Sequence, residues 1–334
     1  MFLRTSHLLI LKTNPVLPCV SETKFDDEQN PKLYGHDAKD QLVTYLTGIP
    51  GLPPSSFPTF MQVHDTSSPF VEFLKIHSTK IMLCNAILMN TFEELEGEAS
   101  RALQSEFHIP VYTIGPVLPM DAKMKQEDEN ACITWLDKKS KHSVVYISFG
   151  SLCNPSVQLI KSIADGIKAS KQPYLWALRP SNFWPSSNVY EFLPQHFSEE
   201  TDGLIIPWAP QLDVLAHSSV GAFLTHCGWN STLESMSMGV PMIPIPIKAD
   251  QTTNCRLIVD IWKVGMNVKS VLHSDGPFVG SDDVERAVKL LFHDDRGSEM
   301  RNRAQDFKTA IKRATQCGGT SYTNIEKFIH SFKK

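Results

Sequence analysis

Positions 208 to 251 collect the side chains best suited to holding a phosphorylated, hydroxyl-rich ligand. An apolar run at 220–225 leads into His226-Cys227-Gly228-Trp229, after which Asn230-Ser231-Thr232 opens a helix that stops near Gly239. With Asn or Ser as the cap, the N–H groups of the helix start and the helix dipole form an anion site suited to a diphosphate. His226 and Ser231 stand where side-chain donors would add to it. Glu234 falls one turn further on, placed to accept two hydrogen bonds from ribose hydroxyls. Trp208 offers a flat face on which a base could stack. Asp250 and Gln251, after an apolar strand and a turn at Pro246, are polar side chains able to read sugar hydroxyls. Each feature taken singly also has a plainer reading: a structural turn, a solvated helix carboxylate, a core aromatic, an ordinary loop.

These residues need a frame, and the sequence alternates in the way a parallel α/β sheet requires. Residues 144–149 form a β-branched and aromatic strand, followed by a Gly150-Ser151 turn, a helix over 157–169 and a strand at 174–178. Strand, tight Gly turn, helix and strand open a doubly wound domain. Short apolar runs at 204–206, 220–225 and 242–245 continue the pattern of buried parallel strands. Upstream, 81–85 reads as a short buried strand, 92–103 as a helix and 111–114 as a strand ending at Gly115-Pro116. The polar stretch 121–130 reads as an exposed linker. The end is helical over 283–292, 300–314 and 324–332. Residues 1 to about 60, rich in Pro, Asp and Thr, show weak periodicity and no independent domain.

Composition narrows the class of function. A chain of 334 residues, 42% hydrophobic and 20% charged, can bury a large core and is long enough for two domains. A net charge of -4 supplies no basic field for nucleic acid or an anionic membrane. Seven scattered cysteines with no Cys-x-x-Cys pair argue against zinc and a disulfide framework, and fit reduced thiols in the cytoplasm. The apolar stretch at 8–11 is too short for a secretory signal or a membrane span. No Gly-x-Gly-x-x-Gly follows a strand, which disfavours a nicotinamide-dependent oxidoreductase.

Taken together, residues 208–251 (WAPQLDVLAHSSVGAFLTHCGWNSTLESMSMGVPMIPIPIKADQ) resemble the plant secondary-product glycosyltransferase box nearly letter for letter. Stations at 90–96, 114–116, 135–137, 148–151 and 318–321 are similar to those of the same family, plant family 1 UDP-glycosyltransferases, and stand in family order. The resemblance runs from roughly residue 35 to the end. It implies two facing doubly wound, Rossmann-like domains of the GT-B type, with the donor on the C-terminal one. The implied divisions are 1–120, a partial N-terminal acceptor-side domain; 121–140, a linker; 141–315, the UDP-sugar-binding domain; and 316–334, a helix packing back on the N-terminal domain. Trp208 would stack on uracil, with Gln211 near base and ribose and Glu234 on the ribose hydroxyls, and Ala209 would also line the UDP-sugar site. His226, Asn230, Ser231 and Ser151 would surround the diphosphate, and Trp229, Asp250 and Gln251 would face the sugar. A terminal Gln in the box resembles glucose users. UDP-glucose is then the donor, a hydrophobic small molecule the acceptor, and neither metal nor other cofactor is expected.

One station of that family is not recognisable. Its members invert the anomeric centre with a His that takes the acceptor proton, held by an Asp, and that His follows the first strand in a Pro/Gly-His segment. His7, His36 and His64 remain as nominal substitutes, and none follows a strand and Gly-rich turn. Two full doubly wound domains take about 200 residues each, so the chain is expected to lack the first half of its N-terminal domain. Two expectations follow: residues 1 to about 120 are poorly packed or paired with something else, and the chain either transfers glucose or binds the nucleotide sugar without catalysis.

Overall fold

The computed structural model describes residues 42, 48–59, 80–118, 126–151, 153–180, 188–195, 197–268, 270–273 and 276–331. Contacts divide the chain into two compact units, a larger one of residues 119–247 and 254–309 and a smaller one of 1–118, 248–253 and 310–334. His7, His36 and His64 lie outside the described residues.

In the smaller unit, β1 (Ile87–Met89) leads through α1 (Glu93–Phe107) into β2 (Val111–Thr113). The two strands pair in parallel, Ile87 opposite Val111 and Met89 opposite Thr113. Ile81, Ile87, Met89, Leu103, Ile109 and Val111 make the local core. The strand expected at 81–85 is instead a 3-10 turn, Lys80–Leu83, with Leu83, Cys84 and Asn85 exposed. A short apolar run does not specify its own ladder. The Ile87 N–H reaches the Pro110 carbonyl at 2.9 Å, and that pairing sets where β1 begins.

The larger unit opens with α2 (Gln126–Leu136), a helix that starts inside the stretch read as exposed linker. It continues with β3 (Val144–Ser148), α3 (Val157–Ser170), β4 (Tyr174–Ala177), α4 (Phe197–Glu200) and β5 (Gly203–Ile206). There follow α5 (Gln211–Ala216), β6 (Val220–Thr225), α6 (Trp229–Met238) and β7 (Met242–Pro244). The five strands lie in the order β5-β4-β3-β6-β7, and every neighbouring pair is parallel. Counted from β3, this is the 3-2-1-4-5 order of a doubly wound nucleotide-binding sheet.

Strand alternation divides the core between the two faces. Val145, Ile147, Trp176, Ala222, Leu224 and Ile243 are buried in one cluster with Ile163 and Ile167 of α3. On β3 and β6 the intervening residues Tyr146 and Phe223 stack, ring centroids 5.0 Å apart. After β7 come α7 (Gln251–Arg256), along which the chain passes between the units, and an unexpected antiparallel hairpin of β8 (Ser270–His273) and β9 (Gly276–Val279). Then α8 (Ser281–His293) adds Val284, Ala287, Val288 and Leu291 to the same cluster. Gly166 of α3 permits this: a Cβ there would stand 2.6 Å from Val284 Cβ.

The chain returns to the smaller unit along α9 (Asp295–Thr315) and ends in α10 (Thr320–Ser331). The Ser321 hydroxyl donates to the Gly115 carbonyl at 2.6 Å, and Asn324 Nδ2 donates to the Thr113 carbonyl at 3.0 Å. Phe328 meets Tyr112 edge-on at 6.0 Å. These contacts lay α10 against β2.

Candidate functional site

The strand order locates a switch point between β3 and β6, where successive crossovers leave for opposite sides of the sheet. In open parallel sheets the crevice outside the carboxyl ends of those two strands is where ligands bind. The β3 loop carries Phe149, Gly150 and Ser151; the β6 loop carries His226, Cys227 and Gly228.

These loops meet at His226. Gly150 adopts φ +68°, and a Cβ on it would stand 2.7 Å from His226 Cε1. A Cβ on Gly228 would stand 2.5 Å from His226 Nε2. The buried imidazole is thus walled by two glycines that tolerate its approach because they have no side chain. Cys227 adopts a left-handed φ of 64°, and Asn254 Nδ2 holds its carbonyl at 2.9 Å.

The next residue begins α6, and here the structure corrects the sequence. The cap is Gly228, which supplies no side-chain hydrogen bond, rather than Asn or Ser. Asn230 lies within the first turn and is exposed, while Ser231 is buried. A side-chain-bearing cap would run into His226. The first N–H groups of an α-helix have no intrahelical acceptor, so an uncapped start at the carboxyl end of β6 is suited to an anion.

One turn on, three of the expected residues come together. Gln211, the first residue of α5, donates from Nε2 to Ser231 Oγ at 3.0 Å and to Glu234 Oε2. The Tyr146 hydroxyl donates to Gln211 Oε1 at 3.3 Å. Burial pushes the Glu234 carboxyl above its ordinary pKa, and the bond from Gln211 partly offsets this. Ser231 and Glu234, three apart on α6, share one face of the helix.

The remaining expected residues fall in three places. Trp208 is half-buried between β5 and α5, beside the buried Ala209. Ser151 is exposed on the β3 loop, and its carbonyl accepts from Arg179 Nη2. Trp229, expected to face the sugar, is buried at the start of α6, and its ring lies 6.1 Å from that of Trp262. Asp250 and Gln251 belong to the smaller unit. There Gln251 is buried, with Oε1 accepting from the Lys248 N–H at 2.9 Å. Thr252 and Thr253, next along α7, bond the carbonyls of Phe57 and Ser56 at 2.8 and 2.7 Å.

Tyr146, Arg179 and Asn254 were not singled out by the sequence. Nothing in their local sequence marks them, because their partners lie 27 to 65 positions away. A second polar trio is a decoy. His217 bonds Ser219 Oγ at 2.8 Å and Asp137 Oδ1 at 3.1 Å, the residue types of a hydrolase triad. Ser219, however, is 0% exposed, so no substrate reaches it; the trio closes the turn at the amino end of β6. Among the described residues no group of three His, Cys, Asp or Glu side chains could hold a metal ion, and no helix is long and apolar enough to cross a membrane.

Comparison with known proteins identifies the family and the fold. Linamarin synthase 1 of Manihot esculenta is 34% identical over 88% of this chain and 62% of its own length. A flavonol 3-O-glucosyltransferase of Arabidopsis thaliana is 41% identical over 74% of this chain and 53% of its own. The chain therefore spans between half and two thirds of the length of these curated relatives. The solved structure of Phytolacca americana UGT2 complexed with UDP-2fluoro-glucose and pterostilbene superposes with a TM-score of 0.81 at 31% identity, covering 98% of this chain and 69% of that one. The family model of UDP-glucoronosyl and UDP-glucosyl transferases matches residues 104–301, more than half of the sequence and the whole of the five-stranded sheet, and the chain belongs to that family.

Proposed function

We propose that the chain holds UDP-glucose in the crevice after β3 and β6 and transfers its glucose, with inversion, to a hydroxyl of a hydrophobic small molecule. The observation that carries this reading is the Gln211–Ser231–Glu234 cluster, set one turn behind an uncapped helix start at the switch point. On this reading the ribose hydroxyls bond Glu234, and the base lies on Trp208 beside Ala209 and Gln211. The diphosphate meets the α6 N–H groups, His226, Asn230, Ser231 and Ser151. The sugar-facing role of Asp250 and Gln251 rests on the family resemblance alone. The acceptor oxygen bonds the anomeric carbon as the bond from that carbon to the β-phosphate oxygen breaks. The acceptor proton goes to a base, and UDP leaves with its charge held by fixed donors.

The names of the relatives, a linamarin synthase and a flavonol glucosyltransferase, support a glucose donor and a small-molecule acceptor. So does the pairing of UDP-2fluoro-glucose with pterostilbene in the Phytolacca structure. The test is UDP release from UDP-glucose with a panel of phenolic and terpenoid acceptors, alongside thermal unfolding with and without UDP. Acceptor-dependent release is the expected result. If neither UDP nor UDP-glucose raises the melting temperature, the donor site itself falls.

A second reading, binding of the nucleotide sugar without transfer, is favoured by one feature of the sequence: none of His7, His36 and His64 follows a strand and Gly-rich turn. It predicts stabilisation by UDP with no release from UDP-glucose, and turnover by this chain alone overturns it.

A further inference from the structure

We infer that Tyr146 is a positioning residue for the nucleotide site, its hydroxyl fixing the Gln211 amide so that the NH2 end faces Ser231 and Glu234. The inference rests on the donor-site reading above and adds to it a residue in the middle of the sheet. Tyr146 is 1% exposed on the central strand β3, and its ring is stacked on Phe223 of β6. From there its hydroxyl reaches the amide oxygen of Gln211 at 3.3 Å. The Glu234 carboxylate only accepts, so it takes the nitrogen end of the amide, and the hydroxyl then holds the oxygen end on the other side. The nitrogen then donates to both Ser231 and Glu234. A flipped amide would set its oxygen against the Glu234 carboxylate, an acceptor facing an acceptor in a poorly solvated place.

Two residues on, Ser148 follows Tyr146 on the same face of β3. The Gly150 N–H, beside His226, donates to the Ser148 hydroxyl at 3.4 Å. Hydrogen bonds therefore join β3 to the carboxylate on α6 through Tyr146 and Gln211. Burial pushes the phenol pKa of Tyr146 far above its ordinary value, so the hydroxyl keeps its proton and remains a donor across the working pH range.

The test is Tyr146→Phe, which keeps the stacked ring and removes only the hydroxyl. Calorimetric titration with UDP and with 2′-deoxy-UDP separates a ribose effect from a general one. Tyr146→Phe is expected to weaken UDP about tenfold, the scale of one hydrogen bond to a charged network, while 2′-deoxy-UDP changes by less than about threefold. In a Gln211→Ala background, adding Tyr146→Phe should cost nothing further, since the hydroxyl acts through that amide. Parallel weakening of both nucleotides, no weakening of either, or additive losses in the double variant each overturn the proposal. Failure of the parent chain to bind UDP overturns the donor-site reading instead.

Discussion

The two units solve the same packing problem to different degrees. In the larger one, five parallel strands carry apolar residues on both faces, and every residue of β3 is buried. Among the described residues of the smaller one, two strands of three residues pair over a cluster of six buried side chains. Of the eight large hydrophobic residues exposed among the described residues, Leu42, Leu83, Val117, Tyr322, Ile325 and Ile329 belong to the smaller unit, and only Tyr190 and Ile261 to the larger. Tyr322, Ile325 and Ile329 recur at helical spacing along α10, so they form a stripe rather than a scatter. Parallel sheets shed water only when several strands are covered on both faces. The hydrogen-bond network on Glu234, which depends on fixed positions, lies in the unit that meets that condition.

Truncating one fully buried side chain in each unit tests the contrast most directly. Trp176→Ala, at the centre of the large sheet, is expected to cost about 3–5 kcal/mol in urea unfolding. Met89→Ala, equally buried in β1, is expected to cost about 2 kcal/mol, because the small cluster can close on the space left. Equal losses would break the comparison.

At the crevice, Gly150→Ala places a Cβ against His226 at a left-handed φ. The expected cost is about 1–2 kcal/mol of stability, together with a smaller rise in melting temperature on adding UDP. An unchanged response to UDP would remove His226 from the binding site.

Glu234→Gln sharpens the comparison by setting stability against function. Burial raises the Glu234 pKa above its ordinary 4.5, so the folded chain holds this proton more tightly than the unfolded one. The contribution of the group to stability therefore falls as pH rises from 4.5 through the folded value. The variant should match the parent or exceed it by up to about 1 kcal/mol at pH 7, with an advantage that shrinks towards pH 4.5, and its UDP binding should weaken. Urea unfolding at both pH values reads the sign, and a variant less stable at pH 7 would show that the carboxylate stabilises the apo fold.

The smallest effect is expected on α10. Ile325→Ser with Ile329→Ser should change stability by no more than about 0.5 kcal/mol while lowering the binding of a hydrophobic dye. A loss of several kcal/mol would mean that the stripe is covered in solution.

Much of this was legible before the structure. The strands at 144–148, 174–177 and 220–225 and the Gly150 turn appear where β-branched runs and turn residues put them. Local chemistry is enough for that: strand runs, glycine turns and a helix stop at Gly239 are properties of neighbouring residues. It failed where an element depends on a distant partner. The 81–85 run had the composition of a strand but its ladder partner lies against 87–89, and α2 begins in a stretch polar enough to read as a linker.

The sequence by itself determined which residues the crevice loops and α6 carry, and their family. Only the tertiary structure decided that Gly228 rather than Asn or Ser caps α6, that the Trp229 ring turns to Trp262, and that Asp250 and Gln251 count with the smaller unit. It also decided that the amide of Gln211 lies between Tyr146, 65 positions before it, and Glu234, 23 after. Periodicity speaks only for residues a turn or two apart. Contacts at those separations follow from strand order and crossover direction, which no local pattern encodes.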